Sequence, residues 1–410
     1  MIDHQPDLNQ LPNELKPAFQ ELKVMKHLQQ TGFRKRFGFS CARLFQLVFV
    51  LLFHQKNWFR LLESDKGDSF PGKDAVYRFL NHAGFAWRRF LTSLSVATVQ
   101  KVSVLTSADR GTVFIVDDSM FERNRDKAVE LPARFKDHAT GAYYKGFRML
   151  TMGWSDRPYL PAPDFAPISS GKSAINGMNE KIDKRTNGYK RRQEALLSAP
   201  QVIVSMLDRA LAAGATASYV LMDSWFTHAP LIGEIASRGL DVIGMVKNDN
   251  KRFLVQGRKL SLKELYTALS PVQSKKRGIL RSIRTELASG IPVHVVFVRH
   301  RTKKNEWLAV LTTDLSFSVE DVIRIYGIRR DIEVFFKCTK SPLRLQKEFQ
   351  GRSYDLLISH TTIVFSRYIL LGLASIGKVR MLARSAVCFM CCATKLAHWT
   401  GPSPCGNCSI

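Results

Sequence analysis

Residues 111–119, "GTVFIVDDS", and 218–226, "SYVLMDSWF", each run an apolar stretch into an aspartate. Four or more consecutive apolar residues rich in Val, Ile and Phe read as strands covered on both faces. A carboxylate at the end of such a strand stands at the rim of a sheet. Between the two stretches, "FRMLTMGWSD" (147–156) and "YLPAPDFAPIS" (159–169) read as further strands, the second an edge strand because of its prolines. A basic linker, "GKSAINGMNEKIDKRTNGYKRR" (171–192), leads into a helix over 193–214. After the second aspartate comes a helix, "APLIGEIASRG", stopped by Gly239, and then a strand, "LDVIGMVK".

The order is three strands, a helix, a strand ending in a carboxylate, a helix and a strand. That is the order of the α/β ribonuclease-H-like fold, in which carboxylates from the first and fourth strands converge. Asp117 or Asp118 holds the first place and Asp223 the second. Residues 1–108 read as helices and form an all-α N-terminal domain. Its segment "FPGKDAVYRFLNHAGFAWRRFLTSL" mixes Lys73, Arg78, Arg88 and Arg89 with Tyr77, Phe79 and Trp87. Such a segment suits a DNA-binding module with its cations on phosphates, or a bundle with its aromatics turned inward. Residues 248–317 shift to short strands and turns and read as a β-rich insertion. The ribonuclease-H-like domain is thus expected over 109–247 plus 318–373.

The final helix carries the third carboxylate. In "YGIRRDIEVFFKCTK" (326–340), an ideal helix with Tyr326 at zero puts Arg329, Glu333 and Lys340 at about 300°, 340° and 320°. Ile325, Ile328, Ile332, Phe335 and Phe336 form a neighbouring apolar stripe, and Asp331 is expected to point to solvent. Glu333 is therefore the carboxylate to place in a site with Asp117 and Asp223. Taken alone, Arg329 and Glu333 would be an ordinary i,i+4 ion pair worth about 0.3–0.5 kcal/mol. Three gathered carboxylates repel one another, however, and a pair of divalent cations is the usual reason to assemble them. Oxygen-only ligands select Mg²⁺ or Mn²⁺, and two such ions can clamp the attacking and leaving oxygens of a phosphodiester displacement. Tyr326, Arg329 and Lys340 then suit backbone phosphates.

Tyr326, Arg329, Glu333 and Lys340 in Y-x2-R-x3-E-x6-K spacing resemble the YREK signature of bacterial insertion-sequence transposases, the IS-four-like group of the DDE superfamily. "FIVDDS" and "YVLMDSWF" resemble its other two blocks, and the likeness spans about residues 40–370. The resemblance implies a catalytic, metal-binding triad of Asp117, Asp223 and Glu333, its Asp-x-Ser spacing favouring Asp117 over Asp118. It implies Tyr326, Arg329 and Lys340 on transposon-end phosphates. Trp307, in the insertion, takes the place of a base-stacking tryptophan or that of a core residue. The implied activity is cut-and-paste transposition at terminal inverted repeats by a homodimer on double-stranded DNA, both transposon ends and target. A ribonuclease-H-like nuclease, or a DNA-binding remnant without cleavage, are the alternatives.

Composition agrees with a polyanionic partner. Lys and Arg number 61 against 35 Asp and Glu, a formal charge of +26 in 410 residues, and such a surplus repels itself unless a polyanion is near. The N-terminus is polar, the apolar run Leu44–Phe53 is too short to cross a bilayer, and the stretch 356–373 is interrupted by polar residues. The chain therefore reads as a cytoplasmic, nucleoid-associated bacterial protein with no membrane segment. From Ala374 onward there is no Asp or Glu, and five of the seven cysteines crowd together. Cys388, Cys391, Cys405 and Cys408 have the pairing of a zinc ribbon with a short spacer. The abrupt change in composition is better read as a shifted reading frame in the tail 374–410, which would impair the enzyme.

Overall fold

In this computed structural model the described residues are 11–379, apart from 55–57, 59–61, 64–69, 105–110, 126, 138–139, 158, 272–277, 301, 304, 346, 348 and 350. The cysteine-rich tail, with both its zinc and its reading-frame interpretations, lies outside them.

Everything described before Val113 and assigned to regular structure is helical: α1 (Lys16–Glu21), α2 (Val24–Gln30), α3 (Cys41–Val50), α4 (Lys73–Leu80) and α5 (Trp87–Ser103). Ser40 caps α3, its side chain accepting the Arg43 N–H, as the sequence pattern requires. Phe33, Phe79, Phe85 and Trp87 pack ring against ring, with Phe33–Phe85 centroids 4.7 Å apart. The aromatics of the basic segment therefore turn inward. Arg88 is spent on Glu194 and the Phe165 carbonyl rather than left for phosphate.

The sheet begins with β1 (Val113–Glu122), β2 (Ala133–Lys136), β3 (Tyr143–Ser155) and β4 (Asp164–Ile168). β1 is paired along its whole length, antiparallel, with Gly146–Ser155 of β3; β2 and β4 pair with successive parts of β3. The basic linker is shorter than expected, because α6 (Asn187–Ala195) begins inside it, capped by Thr186, and α7 (Ala199–Ala212) follows as a separate helix. Then come β5 (Tyr219–Met222), α8 (Ala229–Ala236) and β6 (Asp241–Val246), with β1–β5 and β5–β6 parallel. The order β4-β3-β1-β5-β6, with the first two pairings antiparallel and the last two parallel, is the ribonuclease-H-like arrangement.

Residues 248–317 supply β7 (Arg252–Val255), β8 (Arg258–Ser261), α9 (Leu262–Ala268), β9 (Ile279–Leu287), β10 (Pro292–Arg299) and β11 (Trp307–Thr312). These strands extend the same sheet, since β11 pairs antiparallel with β6. Three helical pieces close the fold: α10 (Val319–Tyr326), a 3-10 turn over Gly327–Arg329 and α11 (Arg330–Lys340), followed by α12 (Tyr354–Val379).

α12 is the pillar of the core. It is long and apolar enough to cross a membrane, yet the stretch that passes that test is wholly buried in protein. Phe365 packs edge-on against Phe165 of β4 and Phe335 of α11, at 5.1 and 4.7 Å. Arg367, fully buried, donates to the carbonyls of Val48 and Phe49 near the end of α3, where the helix leaves acceptors free. The helical N-terminal region and the sheet are thereby joined through one helix.

Candidate active site

β1 and β5 run side by side only from Val113–Tyr219 to Val116–Met222. The next residue on each is the predicted aspartate, so Asp117 and Asp223 stand where two buried parallel strands part. Asp223 is fixed by its own turn. Its Oδ1 accepts the N–H groups of Trp225 (2.9 Å) and Phe226 (3.3 Å), and its carbonyl accepts the Thr227 hydroxyl (2.6 Å). Oδ2 has no hydrogen-bond partner among the described residues. The turn presses against β6 at Gly244, where an added Cβ would lie 2.3 Å from Thr227 Oγ1. Glycine is therefore demanded there by close approach.

The third carboxylate arrives from α11. Arg329 donates through Nη2 to Asp117 Oδ2 at 2.9 Å and through Nη1 to Glu333 Oε1 at 3.0 Å. One guanidinium thus spans the two carboxylates. Its Nε is buried and finds no partner among the described residues, and neither does the buried Oγ of Ser119 on β1. Asp118 is held elsewhere, by an ion pair with Arg148 of β3, and Asp117 Oδ1 accepts the Asp118 N–H at 2.9 Å.

The electrostatics match this crowding. Burial, with Asp223 and Asp118 adding to it and Arg329 opposing, pushes the Asp117 carboxyl up to about 7. Burial likewise raises Asp118 against the pull of Arg148. Burial raises the Tyr326 hydroxyl, whose charged neighbours are Arg329, Asp223, Asp117 and Glu333. Lys340 is lowered by burial, with Glu122 and Asp118 pulling it back. Asp117, Arg329 and Glu333 are in direct contact, with Asp223 and Tyr326 within electrostatic range of them and Lys340 within range of Asp118.

Two expectations about this region fail. The stretch 326–340 is not one α-helix, and Asp331 does not point to solvent. Its Oδ2 accepts the Ser155 hydroxyl at 2.8 Å, and it is partly buried. The 3-10 turn breaks the helix in two. Asp331 lies only about 40° from Phe335 on the helical wheel, so it borders the packed face and is met there by Ser155 of β3, while Arg329, Glu333 and Lys340 stay together. Trp307 lies outside the cluster, stacked on Tyr266 at 4.8 Å and edge-on to Phe297. Sequence reasoning missed Arg148 and Trp225. The guanidinium of Arg148 lies 5.4 Å from the centre of the Trp225 ring, which is 49% exposed two residues after Asp223. An aromatic following the strand-end carboxylate was the available signal.

A family profile described as DDE superfamily endonuclease matches residues 51–261, more than half of the chain. The chain belongs to the DDE superfamily of endonucleases. A second profile, transposase DDE domain, matches residues 198–356 and places this DDE endonuclease with the DNA-cleaving transposases. No curated protein matches the chain. Among solved structures it is similar to the piggyBac transposase synaptic complex with hairpin DNA, determined by cryo-electron microscopy. Identity is 14%, with 94% of this chain and 71% of that one covered and a TM-score of 0.42.

Among the described residues no group of three or more His, Cys, Asp and Glu is close enough together to hold an ion in this arrangement. The donor set still suits a hard divalent cation. It consists of carboxylate oxygens alone, and two of the three carboxylates already share a positive charge.

Proposed function

We propose that this DDE endonuclease is the transposase of an insertion sequence, of the YREK-bearing IS-four-like kind, acting by cut-and-paste at terminal inverted repeats. The observation that carries the reading is the Arg329 guanidinium bridging Asp117 and Glu333, from a strand and a distant helix, with Asp223 ending the neighbouring strand within electrostatic range. Asp117 is preferred to Asp118 because it shares Arg329 with Glu333, whereas Asp118 is engaged by Arg148. When bound at the three carboxylates, a pair of Mg²⁺ or Mn²⁺ ions supplies Lewis acidity to the attacking and leaving oxygens of the phosphodiester.

The chain's own residues do the rest. Asp223 is held rigid by its turn and offers Oδ2. Arg329 moves off the carboxylates onto a backbone phosphate, for which its unpartnered Nε is a ready donor. Tyr326 and Lys340 extend that phosphate contact. Water attacks the phosphorus in line at the element's end, breaking the P–O3′ bond and freeing a 3′-OH, which then attacks a target phosphorus and displaces the target's own 3′ oxygen. Two copies working on paired ends form the synaptic complex, and the N-terminal helices contribute DNA binding. Trp307, packed between Tyr266 and Phe297, would have to leave that stack to receive a base.

The test is a labelled duplex of the terminal sequence flanking the gene, incubated with Mg²⁺ or Mn²⁺. End-specific nicking that disappears in Asp223→Asn supports the reading. Cleavage without end preference would make the protein a nuclease instead, and binding without cleavage a non-catalytic remnant.

A further inference from the structure

Between α2 and α3 the chain runs "RKRFGF" (34–39), three cations followed by two phenylalanines around a glycine. Phe37 is 83% exposed, and no other described phenylalanine is left in solvent to a comparable degree. Three consecutive cations precede it. Arg34 and Arg36 are exposed, Lys35 is half-buried, and none of the three has an ion-pair partner among the described residues. Gly38, at φ +75°, makes the bend that turns Phe37 outward, and Ser40 then anchors the chain to α3. The loop projects from the start of a largely buried helix.

Beside it lies a cleft of about 680 Å³, whose other wall is α4 with Arg78 and the following His82. Among the described residues lining the cleft none is acidic. Two features therefore coincide: a wall of uncompensated positive charge, and a bare aromatic ring at its tip. Arginines drawn to the negative potential of a minor groove, followed by an apolar side chain wedged between base steps, bind duplex DNA in this way.

We infer that the 34–38 loop is a second DNA-contacting site, sharing no lining residue with the carboxylate site. Arg34, Lys35 and Arg36 take phosphates and the minor-groove floor, and Phe37 inserts at a base step and bends the duplex. The inference rests on the protein acting on DNA, but it tests separately, because binding needs no cleavage. The partner is the duplex rather than a membrane surface. The cations line a concave cleft with α4, which suits a rod-like polyanion, and a single exposed ring gives little area for lipid.

The experiment uses the full chain and two duplexes of about 30 base pairs, one carrying the terminal sequence and one scrambled. Anisotropy titrations over a range of salt compare wild type, the triple variant Arg34→Gln/Lys35→Gln/Arg36→Gln, Phe37→Ala and Phe37→Leu. The triple variant should flatten the log–log salt slope by roughly 2–3, at about 0.9 for each phosphate no longer neutralised. Phe37→Ala should keep the slope, lose roughly tenfold in affinity and abolish the end-to-end energy-transfer change that reports bending; Phe37→Leu should retain the bend. Circular dichroism should show all variants folded, since the altered side chains are peripheral to the core. An unchanged slope in the triple variant, or bending that persists in Phe37→Ala, overturns the inference. So does Phe37-dependent binding to anionic phosphatidylserine vesicles with DNA binding unaltered. A wild-type chain that binds both duplexes without cleaving either would defeat the proposed enzyme and leave this result readable.

Discussion

Two groups of buried charge in this molecule have been built in opposite senses. Behind the sheet, Arg88, Arg191, Arg192 and Arg209 interlock with Glu130, Asp164, Glu194 and Asp355, the Arg192–Glu130 contacts being 2.6 and 2.7 Å. Cations match carboxylates there, and the arginines hold Glu130, Glu194 and Asp355 below their ordinary range despite burial. At the sheet's rim, Asp117, Asp118, Asp223 and Glu333 crowd around fewer cations, and Asp117 and Asp118 are pushed up. The first group joins α6 to α12 and to β4 and holds the scaffold. The second is left short of positive charge, and such a deficit marks a place kept for a ligand.

Mutation should separate the two groups. The largest effect expected is on cleavage. Asp223→Asn should reduce end-specific nicking by at least a thousandfold, a barrier increase of about 4 kcal/mol, with an unfolding midpoint no lower than wild type. Residual nicking within tenfold of wild type would remove Asp223 from the chemistry. Next, Asp355→Ala leaves Arg191 buried and uncompensated and Arg192 with Glu130 alone, and should cost about 3–5 kcal/mol in denaturant unfolding. A loss below 1 kcal/mol would mean that the scaffold does not depend on that network.

Arg329→Ala should weaken binding of a terminal duplex by about 1.5–3 kcal/mol, as for a charged hydrogen bond, while leaving Mn²⁺ affinity equal or tighter. Parallel loss of both would contradict its assignment to phosphate. Acidity should split the groups as well. Glutamate and aspartate whose folded values lie below 4.5 and 3.8 contribute stability above those values and lose it as pH falls through the lower folded ones. Asp117 is the reverse: stability present in acid is lost as pH rises from 3.8 through about 7. The metal-free protein should therefore weaken at both ends, and Asp117→Asn should reduce the neutral-side loss, to which Asp118 also contributes, while leaving the acid-side loss in place. The smallest effect is in that same variant, a stabilisation of about 1 kcal/mol at pH 8. A destabilisation would mean that Asp117 serves the fold.

The contrast also explains what the sequence revealed. Strand-end aspartates after apolar runs were legible because burial and alternation leave a local trace, and Glu333 was separable from Asp331 by helical phase. Asp331 was misjudged because it sits only about 40° from Phe335 on the wheel, close enough to the packed face to meet Ser155, and nothing in "YGIRR" announces the 3-10 turn. The scaffold network was invisible for a different reason. "YKRR" reads as a solvated linker, and the partner that buries Arg191 lies 164 positions away at Asp355. β2, four residues long, is held by its pairing with β3 and carries little signal of its own.

The central claim is that the Arg329 guanidinium stands in for cations that Asp117, Asp223 and Glu333 jointly bind. It is tested most directly by an anomalous-scattering map of the full chain crystallised with Mn²⁺ and a terminal duplex. The account predicts manganese peaks within carboxylate reach of all three residues, with Arg329 displaced onto a phosphate. Manganese bound without Glu333, with Arg329 still bridging Asp117 and Glu333, would contradict it.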